Sequence, residues 1–124
     1  IMLSYLWIGA NDVDASVAFY DSILLPLGYE KDYSECVCSY SLLGTVDRLN
    51  GPGTVHVGKP FDGGPATAGN GMMPAFRTQS RAEVDAIYVT ALGQGGVGDT
   101  GCVHAQFLRG LPEGSDWQQG RGVF

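Results

Sequence analysis

The chain has 124 residues, enough for one hydrophobic core but not for two. Its 44% hydrophobic and 16% charged content is that of a globular protein, not a disordered one. With 13 acidic and 7 basic residues, a net charge of −6 and no basic stripe, nucleic acid and anionic membranes are poor partners, whereas a small cation would be attracted.

Residues 3–9 read as a strand with Leu6 and Ile8 on one face and Leu3, Tyr5 and Trp7 on the other. Asn11 or Asp12 can accept hydrogen bonds from free N–H groups at a helix start. Val13, Val17, Tyr20 and Leu24 then recur at helical spacing, and Pro26 and Gly28 end the helix. Three strand-like stretches follow, residues 28–33, 36–43 and 54–58. In the last, Val55 and Val57 alternate with Thr54, His56 and Gly58. Residues 59–71 form a Gly/Pro-rich connection without the Gly-Lys-Ser/Thr of a phosphate cradle. Residues 72–77 read as a strand, with Phe76 on one face and Met73 and Arg77 on the other. Ser80-Arg81-Ala82-Glu83 is a capping box, opening a helix that carries Val84, Ile87, Tyr88 and Ala91 and closes at Gly93. The two helix starts lie 68 residues apart, which predicts two modules of about half the chain each. Aliphatic faces pack on the helices in this reading and leave Tyr5, Trp7, His56 and Met73 on the opposite side of the sheet.

Three cysteines, Cys36, Cys38 and Cys102, are an odd set that argues against a secreted disulfide framework. Cys36 and Cys38 are expected as small, buried, reduced residues on one strand face. No apolar run approaches a membrane span and no basic leader opens the chain, so a cytoplasmic protein is expected. Glycine is unevenly spread. Three of the 19 glycines fall in residues 1–50, and nine fall in the 32 residues from Gly93 on.

Leu3-Ser4-Tyr5-Leu6-Trp7-Ile8-Gly9, followed by Asp12, Ser16, Phe19-Tyr20 and Leu27-Gly28-Tyr29, resembles the vicinal oxygen chelate superfamily. That group includes glyoxalase I, the bleomycin-resistance proteins and the extradiol dioxygenases. Val57-Gly58-Lys59-Pro60, Gly69-Asn70-Gly71, Ala75-Phe76, Ser80-Arg81-Ala82-x-Val84-Asp85-Ala86, Ala91-Leu92 and Gly95-Gly96 continue the match in order, over residues 2–96. The resemblance implies an α+β fold of two βαβββ modules forming a cup-shaped mixed sheet with helices on the outer face. It makes residues 1–124 one domain, with module one at about 1–60 and module two at about 70–124, and it implies a homodimer.

Enzymatic members hold a divalent metal in the cup through His, Glu or Gln ligands, which chelates substrate oxygens or activates dioxygen. Residue by residue, the usual first-strand histidine is replaced by Tyr5, and the histidine opening the second module by Met73. His56 lies near the place of the first module's second ligand. Neither a neutral tyrosine nor a thioether suits Mg²⁺, Mn²⁺ or Zn²⁺. No metal and no other cofactor is therefore expected, and His56 is expected as a hydrogen-bonding wall of the cup.

Relatives usually end with an Arg-Asp-Pro-Asp-Gly-Asn-Lys turn and a strand carrying the ligand glutamate, but residues 102–124 contain neither. Back-translated with degenerate codons and shifted by one nucleotide, the chain from Val103 permits Tyr-Thr-Pro-Asn-Phe-Tyr-Gly-Ala-Phe-Leu-Arg-Glu-Pro-Thr-Gly-Asn-Lys. A glutamate then overlaps Arg121 and Gly122. This predicts a reading-frame shift between about Gly96 and Val103, which would leave His104, Glu113, Asp116 and Trp117 incidental.

Three functions follow. The first is a metal-free binding protein or catalytically silent relative that takes a small molecule, cationic or aromatic, on a cup face of Tyr5, Trp7, His56, Met73 and Arg77. The second is a metal-dependent lyase, isomerase or dioxygenase. The third is an orphan reading frame that folds without selected chemistry. The first is preferred, with no catalytic residues assigned.

Overall fold

The computed structural model describes residues 2–34, 36–67, 72 and 74–96. The chain divides into two compact units, Ile1–Gly69 and Asn70–Phe124. The first unit runs strand, helix, three strands: β1 (Tyr5–Gly9), α1 (Val13–Leu24), β2 (Tyr29–Ser34), β3 (Val37–Leu42) and β4 (Thr54–Gly58). In the second, the described residues contain α2 (Arg81–Gly93). The fold is α+β, with one βαβββ module complete and one further helix described.

Asp12 opens α1 from an extended backbone, and its Oδ1 accepts the Ala15 N–H at 3.0 Å. Val17, Ile23 and Leu24 are the buried residues of that helix. A 3₁₀ turn, Leu25–Leu27, tightens its end, and Gly28 leaves the turn at a φ of 88°, where a side chain would be strained.

The four strands form an open mixed sheet in the order β1-β4-β3-β2. β1 is parallel to β4, while β3 is antiparallel to both β4 and β2. Partners across a ladder share a face and successive residues alternate. The register therefore places Trp7, His56, Ser39 and Asp32 in one row, and Leu6, Val55, Tyr40 and Lys31 in the next, on the opposite face.

The second face takes α1. Tyr40 is 0% exposed, and its hydroxyl reaches Asp21 Oδ1 at 2.9 Å and the Val17 carbonyl at 3.2 Å. Lys31 Nζ donates to Asp21 Oδ2 at 2.6 Å. Burial, and then hydrogen bonds to Cys38 and Asp21, push the Tyr40 phenol far up, so it stays neutral. Cys38, Val55 and Val57 complete the buried layer on this side of the sheet.

Three expectations need correction. Residues 72 and 74–77 are not in a strand, and Pro74 among them has no N–H to donate to a ladder. Cys36 is exposed in the turn before β3, so only Cys38 is the buried thiol. α2 includes Gly93, and Gly95, not Gly93, takes the left-handed conformation after it, at a φ of 91°. The capping box is present, with Ser80 Oγ accepting from the Glu83 N–H at 3.2 Å and Glu83 Oε2 from the Gln79 N–H at 2.6 Å. Val84, Ile87 and Ala91 are the buried side of α2. Among the described residues, no helix is long and apolar enough to cross a membrane.

Candidate functional site

The sheet face opposite α1 carries a groove of about 450 Å³. Tyr5 and Trp7 enter it from β1, His56 from β4, and Val37 and Ser39 from β3. Ser34 at the end of β2, Leu49 and Asn50 from the β3–β4 loop, and Phe61 from the segment after β4 complete it.

The β3–β4 loop is fixed by its own side chains. Asp47 Oδ1 accepts the N–H groups of Leu49 (3.3 Å) and Asn50 (3.1 Å), and both carboxylate oxygens take the Asn50 side-chain amide. Those hydrogen bonds, that from the Asn50 side chain foremost, hold the Asp47 carboxyl below its ordinary value. Gly51 then turns at a φ of 95°, and a Cβ there would lie 1.8 Å from the Ser4 carbonyl oxygen. That carbonyl accepts from the N–H groups of Gly53 and Thr54, which locks the end of the loop to the start of β1.

His56 stands where the loop meets the sheet and is 8% exposed. Its Nε2 lies 2.9 Å from the Leu49 carbonyl and its Nδ1 lies 2.8 Å from Ser39 Oγ. A carbonyl can only accept, so Nε2 carries the proton, and in the neutral ring Nδ1 accepts from the Ser39 hydroxyl. Trp7 is positioned as tightly. Its Nε1–H donates to the Lys59 carbonyl at 3.3 Å, and a Cβ on Gly58 would stand only 3.1 Å from its Cζ2. The indole lies where it does because residue 58 has no side chain.

The rings touch in series. Tyr5 meets His56 edge to face at a centroid distance of 5.1 Å, His56 meets Trp7 at 5.7 Å, and Trp7 meets Phe61 edge to face at 5.8 Å. Around them are aliphatic Val37 and Leu49 and the neutral polar groups of Ser34, Ser39 and Asn50. Such a surface can hold an organic molecule by stacking and hydrogen bonding. Its hydroxyl–imidazole contact, Ser39 Oγ to His56 Nδ1 at 2.8 Å, joins two buried residues, 6% and 8% exposed.

The metal implied by the resemblance does not fit these residues. Both nitrogens of His56 are engaged, Tyr5 occupies the first-strand position, and no buried side-chain nitrogen or oxygen among the described residues lacks a partner. Nor do the described residues contain a group of three or more His, Cys, Asp or Glu able to hold a metal ion.

Of the five expected site residues, Tyr5, Trp7 and His56 come together in the groove. Arg77 is exposed and belongs to the second unit. Met73 lies outside the described residues, as do residues 97–124 with His104, Trp117 and the tail beyond the expected frame shift. The sequence reading missed Ser39, although alternation from Val37 puts it on the groove face. It also missed Phe61, which the glycines and prolines around it disguise as connection.

A second cleft of about 400 Å³ is lined by Asn11, Asp12, Val13, Asp14, Tyr33, Cys36 and Lys59, around the start of α1. Its Tyr33 hydroxyl donates to Asp14 Oδ1 at 3.2 Å, which raises the phenol's pKa.

No protein-family model matches the chain, and no curated protein does either. Solved structures do. A glyoxalase/bleomycin resistance protein from Albidiferax ferrireducens T118 superposes with a TM-score of 0.66 at 29% identity, covering 80% of this chain and 77% of that one. A glyoxalase candidate from Bacillus halodurans gives 0.60 at 23%, covering 84% and 77% respectively. A glyoxalase/bleomycin resistance protein/dioxygenase family enzyme from Burkholderia phytofirmans PsJN gives 0.58 at 17%, covering 82% and 79%. The last two matches speak to the fold alone. Together with the βαβββ module and its groove, the likeness to the Albidiferax structure supports the vicinal oxygen chelate superfamily.

Proposed function

We propose that this protein binds a small organic molecule in the Tyr5–Trp7–His56 groove without a metal, and is catalytically silent. The observation that carries the reading is the double engagement of His56, which makes its imidazole a structural brace. A contiguous run of aromatic rings supports it, because sequestration needs shape and stacking, not a Lewis acid. The same reading makes the protein a cytoplasmic homodimer, with Cys36 and Cys38 present as free thiols. Light scattering after size exclusion tests the dimer.

A thermal-shift screen against aromatic and cationic compounds tests the binding itself. Stabilisation that rises with ligand concentration supports it, and no shift across a broad panel overturns it. The enzyme alternative, a metal-dependent lyase, isomerase or dioxygenase, rests on the description of the Burkholderia neighbour as an enzyme. Metal analysis of protein purified without chelators decides between the two. Stoichiometric Zn, Ni, Fe or Mn favours the enzyme.

A further inference from the structure

Resting on that reading, we infer that the groove takes an uncharged planar aromatic molecule, stacked on Trp7 and His56 and clasped by Phe61. Trp7 and His56 are tilted by only 38° with centroids 5.7 Å apart, so the two rings make a shallow floor. Tyr5 stands at 73° to His56 at one end, and Phe61 at 70° to Trp7 at the other. A floor with steep ends is a trough for a flat ring system. A cation is attracted to a single ring face within about 6 Å, but is held most firmly where several faces converge on one point. Here neighbouring rings touch each other and leave no such point between them.

Charge points the same way. None of the lining side chains is an acid, a lysine or an arginine. Two carboxylates close in sequence, Asp47 and Asp62, turn to the N–H groups of Leu49 and Asn50 and of Gly64, while Asp32 shares the sheet face as the register partner of Ser39. Burying a cation there would forfeit hydration with no ionic partner in return.

Phe61 supplies the clasp. It is 96% exposed, at the tip of a turn closed by the Gly63 N–H to the Pro60 carbonyl at 2.9 Å. Both feet of the turn are held. The Lys59 carbonyl receives the Trp7 indole N–H, and Ala66 exchanges two hydrogen bonds with the Asn11 side chain, at 2.7 and 3.0 Å. A turn anchored at both ends presents a solvated aromatic ring at the mouth of the groove. A ligand stacked beneath it would remove that exposed area from water.

The test is calorimetric titration of the full chain with quinoline and acridine, at a pH where both are uncharged, and with their N-methylated cations. The neutral compounds are expected to bind about tenfold tighter than the cations. Phe61→Ala is expected to weaken the neutral compounds by about three- to tenfold while leaving the unfolding midpoint unchanged. Cations that bind as tightly or more tightly overturn the ligand class and leave small-molecule binding standing. Unchanged affinity in Phe61→Ala overturns the clasp. Heats at baseline for all four compounds overturn this inference, while the broad thermal-shift screen decides the binding reading beneath it.

Discussion

His56 spends its donor on the Leu49 carbonyl and its acceptor on the Ser39 hydroxyl, so its chemistry is used up in holding a loop to a sheet. Titration with Zn²⁺ is therefore expected to leave the His56 imidazole NMR resonances in place, whereas a ligating imidazole would shift or broaden. His56→Leu strands the Leu49 carbonyl and the Ser39 hydroxyl, and is expected to cost about 2 kcal/mol by denaturant unfolding. Gly58 shows the opposite economy. A methyl group there would stand 3.1 Å from Trp7 Cζ2, Val37 Cγ2 and the Cys36 carbonyl oxygen. Gly58→Ala is expected to destabilise by about 1–3 kcal/mol through overpacking. It is also expected to displace the indole, read as a change in tryptophan emission and a loss of groove affinity.

The elements differ in how plainly the sequence announces them. α1 and α2 are legible because each carries an oxygen-bearing cap before its apolar repeat, and β4 is legible because its valines alternate strictly. Asp12→Ala removes the cap of α1 and should cost about 1 kcal/mol. The β3–β4 loop is not legible in this way, since the contribution of Leu49 and Asn50 to the groove depends on Asp47 and Gly51 folding the loop back on β1. Phe61 is lost for a related reason, because glycine and proline mark a turn without saying what it presents. For the Asp47 loop the pH dependence has a definite sign. The folded carboxyl is held below its ordinary value of 3.8, so the contribution of its hydrogen bonds is complete above that value and is lost as the pH falls through the folded pKa. Amide exchange at Leu49 and Asn50 is expected to rise in acid before the sheet amides follow.

At the scale of the whole molecule, the first unit is a complete βαβββ module, while the expected second module is described only in part. The likeness to solved glyoxalase-like structures was readable in residues 2–96, from motif order and not from any single signature. Coding DNA tests the origin of the tail directly. A one-nucleotide shift requires a frame free of stop codons beyond Val103, with Gly-Asn-Lys and the glutamate codon in place. β4 has a consequence of another kind. All five of its residues are buried, with Thr54, His56 and Gly58 facing the groove side and Val55 and Val57 facing α1. On the groove side, Thr54 donates to the Arg48 carbonyl, His56 braces the loop and Gly58 makes room for Trp7. Every position on the central strand is thus already committed, and selection for a new ligand would find its freedom elsewhere. Diversification should run through Tyr5, Leu49, Asn50 and Phe61 at the rim, so that descendants of this chain could trade specificities while inheriting β4 unchanged.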